Sequence, residues 1–135
     1  MPGSDPAHWL HRLSAAEWLA AAAAELAHAE TAATGRAGRA GLAHARRAAG
    51  MAWNAVLVDH PEERAGRSYM DHVVALCDDP AVPDGVRAAA RELRDASMTP
   101  PPLVTLAPPG AGPDLAKVRA ARTIVEHARR VVTPS

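Results

Sequence analysis

Glu25 and His28 stand three residues apart inside a run of alanines. Carboxylate-bridged metal sites in helical bundles use this spacing to set an acid and an imidazole on one helix face. Such sites need the pair twice plus two more inward glutamates, and the sequence holds no second copy, so no metal is expected. His8 and His11 repeat the spacing without a third ligand at a useful distance and read as solvent-facing. Arg39 with His44, Arg67 with His72 and Arg122 with His127 each place a cation near a proton carrier, the residue types that phosphoryl chemistry uses. Of the fifteen basic side chains only Lys117 is lysine, which leaves fourteen arginines to combine with seven histidines. Scattered at random, these would form roughly two such pairs at spacings of four to six, so the number of pairs argues for no function.

Cys77 precedes Asp78 and Asp79 at a helix end, an environment that raises a thiol pKa and opposes nucleophilic use. Gly35, Gly38 and Gly41 lack the preceding strand and the Lys-Ser/Thr ending of a phosphate loop. Arg36, Arg39, Arg46 and Arg47 gather at the start of one helix, and Lys117, Arg119, Arg129 and Arg130 on the last. Side by side these faces would hold phosphates, but Glu30 and Glu126 interleave with them and the expectation is ordinary solvated surface. Trp53, Asn54, Arg67, Tyr69 and His72 form the candidate binding set, two aromatics with polar neighbours. In a chain whose other aromatics are Trp9 and Trp18, the same residues are also natural core fillers.

Composition points to the elements that must position these groups. The 135 residues match one domain and one core, 48% of them are hydrophobic, and alanine supplies much of that. Alanine favours helix, whereas the β-branched and aromatic residues of sheets are scarce. Fifteen basic and fifteen acidic residues give a formal charge of zero, which removes the whole-molecule electrostatic footprint of a nucleic-acid binder. One cysteine excludes an internal disulfide. Residues 1–13 read as an N-terminal leader to the bundle, and since Met1 to Ala7 carry two prolines and an acid and no apolar run reaches about 18 residues, a cytoplasmic protein without a membrane span is expected.

The pattern predicts about five helices. Ser14 and Glu17 form a capping-box pattern ahead of Trp18, Ala22, Leu26 and Ala29, and Thr34-Gly35 ends that helix. Leu42, Ala45, Ala49, Ala52 and Val56 mark a second helix that stops before Asp59-His60-Pro61 and pairs antiparallel with the first. Its Gly50 implies close approach by a neighbour. A third helix is predicted from about Glu62 to Cys77 with Tyr69, Met70, Val73 and Leu76 inward, and a fourth after Pro83-Asp84 with Val86, Ala90 and Leu93 inward. Residues 98–113 hold six of the twelve prolines and read as an extended connection pinned by Leu103, Val104 and Leu106. Asp114 is then expected to cap a last helix striped by Val118, Ala121, Val125, Ala128 and Val132.

The phrases Trp18-Leu19 through Ala29, Ala45-Arg46-Arg47-Ala48-Ala49-Gly50-Met51-Ala52-Trp53-Asn54-Ala55-Val56-Leu57 and Arg67-Ser68-Tyr69-Met70-Asp71-His72, in that order, resemble the HEPN superfamily of helical domains over most of the chain. The resemblance implies a non-catalytic binding or interaction module for a nucleotide, RNA or a nucleotidyltransferase-type partner, acting as a homodimer and without a cofactor. Ribonuclease members carry an Arg–His pair on a late helix, which corresponds here to Arg122 and His127. In an endoribonuclease alternative His127 would transfer protons and Arg122 would stabilise phosphoryl charge, although Thr123 and Arg129 depart from the family pattern. A small metal-dependent helical-bundle enzyme is the third class.

Overall fold

The computed structural model describes residues 12–34, 38–62, 65–96 and 113–133. Among them the chain is all-helical, as α1 (Ala15–Thr34), α2 (Gly38–Asp59), α3 (Tyr69–Leu76), α4 (Asp84–Asp95) and α5 (Pro113–Val132), with no strand. His8, His11, Gly35, Arg36 and the proline-rich connection with Leu103, Val104 and Leu106 lie outside the described residues.

α1 starts where its cap dictates. The Ser14 backbone N–H donates to Glu17 Oε1 at 2.9 Å and the Glu17 N–H donates to Ser14 Oγ at 3.1 Å, satisfying two otherwise orphaned donors. α2 begins at Gly38, four residues before the Leu42 from which its stripe was read, so Gly38 and Gly41 belong to the helix, and the Gly41 position is buried. Tertiary burial overrides the propensity cost here.

α3 is shorter than the 62–77 span that its spacing predicts. It begins at Tyr69 because a second capping box, Ser68 with Asp71, fixes the entry: Asp71 N–H donates to Ser68 Oγ at 2.9 Å, and Ser68 N–H donates to Asp71 Oδ2 at 3.2 Å. Gly66 precedes it at φ +73°, a conformation that a helix cannot contain and that L side chains rarely adopt. Its inward residues are His72, Val73 and Leu76, whereas Tyr69 and Met70 are half-buried. α4 buries Val86, Ala89, Ala90 and Leu93, with Arg91, Glu92, Arg94 and Asp95 exposed. α5 starts at Pro113, so Asp114 falls within its first turn and not at the expected cap. Its stripe of Val118, Ala121, Val125 and Ala128 is buried as its periodicity predicts, joined by Ile124, and Val132 is half-buried.

These helices share one core, and α2 lies at its centre, touching α1, α3, α4 and α5. Ala45, Ala48, Ala49, Ala52 and Ala55 are fully buried along one arc of about a third of its circumference. Their small side chains let neighbouring helices approach closely there. The closest approach is at Gly50, where an added Cβ would lie 2.3 Å from Tyr69 Cβ and 2.5 Å from Tyr69 Cα.

Two glycines should therefore respond oppositely to alanine. Gly50→Ala gains about 1 kcal/mol of helix propensity but forces the α3 backbone away, for a net expected loss of about 1–3 kcal/mol. Gly85→Ala, in the first turn of α4 with nothing within 4 Å of its new methyl, should gain about 0.5–1 kcal/mol. Urea unfolding midpoints at constant slope check both signs.

Candidate functional site

The residues picked out as a binding set are mostly core. Asn54 and His72 are fully buried and Trp53 nearly so. Tyr69 packs against Gly50, and only Arg67 is exposed. The polar members of this set are there to satisfy one another. His72 Nδ1 lies 2.7 Å from the Ala65 carbonyl, and Nε2 lies 2.6 Å from Asn54 Oδ1. This joins α2, α3 and the turn before α3. With its Nδ1 proton donated to Ala65, a neutral ring accepts at Nε2 and so requires the NH2 edge of the Asn54 amide to face it. Whichever edge faces the ring, one amide atom of Asn54 is left buried; in the structure it is Nδ2. Burial lowers the His72 pKa, opposed by the Ala65 bond and by Asp71, and keeps the ring neutral.

Arg122 and His127 turn to different neighbours. Arg122 pairs with Glu30 of α1, both side chains nearly half exposed, whereas the His127 ring stacks on Trp53 of α2 with centroids 6.2 Å apart. Five residues of helix separate them by about 140° of rotation, so the two groups do not converge on one substrate position. Burial against α2, helped by Arg130, lowers the His127 pKa. Thr123 donates to the Arg119 carbonyl of its own helix at 3.0 Å.

The first basic group is also committed to structure where it is described. Arg46 donates from Nε to the Leu93 carbonyl at 2.9 Å and from Nη2 to the Ala96 carbonyl at 2.8 Å, closing the C-terminal end of α4, which no glycine caps. Arg47 donates from Nη1 to Glu25 Oε1 at 2.9 Å. Cys77 is buried, its Sγ 3.4 Å from the Val73 carbonyl. Its pKa is raised as expected, but burial is the largest cause and Asp78 a lesser one.

What the fold does bring to the surface together is a group that spacing had separated. Glu25 sits on the inner stripe of α1 between Ala22 and Ala29, its side chain only 12% exposed. His44 Nδ1 meets its two oxygens at 3.1 and 3.2 Å, beside the Arg47 bond. The His28 ring lies against the His44 ring, centroids 5.3 Å apart. The Glu25–His28 spacing therefore serves an interhelical polar cluster: one carboxylate beneath, two imidazoles and a guanidinium above. Among the described residues no group of three or more His, Cys, Asp or Glu is arranged to hold a metal ion, and here Arg47 occupies the carboxylate that a metal would need. Two signals in the sequence locate this cluster. A glutamate on an alanine stripe demands a partner, and Glu25–Arg47 and His28–His44 are both centred on position 36 of the hairpin.

A second surface feature is a shallow groove of about 250 Å³ between α1 and α5, floored by Ala23, Leu26, Ala27 and Val125 and edged by Glu30, Arg122, Glu126 and Arg129. No helix among the described residues is long and apolar enough to cross a membrane. Comparison with protein-family models, curated proteins and solved structures returns no match.

The buried histidine makes acid stability testable. Because folding lowers its pKa, the unfolded chain binds the proton first as pH falls past the ordinary value of 6.5. His72 should contribute its full stability above pH 6.5 and lose it progressively below. In urea unfolding between pH 8 and 5, the decline should be shallower for His72→Gln, which cannot titrate. Equal declines would show that His72 is not the group responsible.

Proposed function

We propose that this chain is a non-catalytic, HEPN-like interaction module that associates through the outer face of α1, in the first instance with a second copy of itself. The observation that carries this reading is the face itself. Ala16, Ala20, Ala23, Ala24 and Ala27 are all exposed and recur at helical spacing along one side of α1, with no charged side chain among them. The exposed face of α4, by contrast, carries Arg91, Glu92, Arg94 and Asp95. Methyl side chains let a partner helix approach closely over the length of the contact. The edge of this face runs into the groove between α1 and α5, where Glu30 and Glu126 stand with Arg122 and Arg129. Charges of both signs suit an isologous contact, in which Glu126 meets the other copy's Arg129 while Arg122 and Glu30 keep their own pair. The resemblance to HEPN domains supports the same reading, and a nucleotidyltransferase-type partner would use the same face.

Sedimentation at concentrations up to about 100 μM should show a reversible dimer. Ala20→Glu with Ala24→Glu should return it to monomer while leaving urea stability within about 0.5 kcal/mol, since both sites are exposed. A wild-type monomer throughout that range would sink the self-association. The divergence of Arg122 and His127 argues against the endoribonuclease alternative. Mixed RNA incubated with pure protein should stay intact; cleavage abolished by both Arg122→Ala and His127→Ala would reverse this reading.

A further inference from the structure

We infer that the α1–α2 hairpin carries a binding site for a phosphate group, built by Glu25, His28, His44 and Arg47 on the α2 side of α1, beside the alanine face. The argument is one of layering. Glu25 lies beneath, and both of its oxygens are taken by groups from α2. Its negative charge is thus compensated from the side a ligand would approach. Above it the His44 side chain is 29% exposed and the Arg47 side chain 46% exposed. Arg47 uses one of its guanidinium N–H groups on Glu25, which leaves the rest of the fork for an anion. His44 points Nδ1 at the carboxylate, which fixes that nitrogen as a donor, so Nε2, directed away from Glu25, donates to a phosphate oxygen when the ring carries both protons. The exposed His28 ring flanks it. A ligand therefore meets a guanidinium and imidazoles whose orientations are set by a buried carboxylate, an arrangement suited to the tetrahedral oxygens of a phosphate monoester or diester. The neighbouring Arg46 is not part of it, being spent on the α4 carbonyls. Glu25 is a positioning residue, and Arg47 and His44 make the contacts.

The test follows the histidine ring resonances of the full chain by NMR as inorganic phosphate is added at constant ionic strength. His28 and His44 should shift saturably while the exposed His60 stays still, and Arg47→Ala should weaken binding about tenfold or more. Glu25→Gln separates a built site from general attraction. If charge alone drew phosphate in, removing an acid would strengthen binding, whereas a positioned site is weakened by it. His44→Gln, checked for native helicity, gives a second variant with the same expected loss. Parallel titrations with a nucleoside 5′-monophosphate and a short single-stranded RNA assign the source of the phosphate, tighter binding of one over the other naming it. No saturable shift at His28 and His44, equal shifts at His60, or tighter binding by Glu25→Gln would each overturn the site.

Discussion

The architecture depends on how thin α2 is. A helix packed by four others can bury most of its surface only if its side chains let the neighbours close in, and the fully buried alanines from Ala45 to Ala55 together with Gly50 allow this. The Gly50–Tyr69 contact is the limiting case, with α3 so near that even a methyl group has no room. A core built this way gains from contact density more than from the area of any one large side chain. This is how a chain without phenylalanine can still close a five-helix core.

Packing of small side chains gives little orientational preference, and the polar and aromatic residues of α2 supply it. Each reaches a different neighbour: Arg47 and His44 to Glu25 of α1, Asn54 to His72 of α3, Arg46 to the carbonyls that end α4, and Trp53 to His127 of α5. Buried or half-buried polar groups are costly unless paired, so each tether penalises a rotated or shifted helix more than it stabilises the native one. The residues most tempting as a binding set, Asn54 and His72, do this orienting work. Their burial excludes them from meeting a ligand.

Local chemistry was readable where the interaction was local. The Ser14–Glu17 box starts α1 as its motif predicts, and the stripe on α5 is buried as its period predicts. The same rule applied to Ser68 and Asp71 places the start of α3, and Gly66 just before them explains why the helix cannot reach back to Glu62. Spacing within one helix misassigned the Glu25–His28 pair, because the partners of Glu25 lie across the hairpin. Register counted from its midpoint finds them.

By itself, then, the sequence determined the helical class, the start of α1 at its capping box and most of the inward stripes, because propensity, capping and periodicity act within a few residues. Only the tertiary structure decided which arginines are tethers and which stay available, that Asn54 and His72 satisfy each other, that Arg122 and His127 diverge, and that Glu25, His28, His44 and Arg47 share one surface. Those outcomes depend on side chains up to 92 residues apart, such as Arg122 and Glu30. No local pattern encodes the angle and register at which the helices that carry them meet.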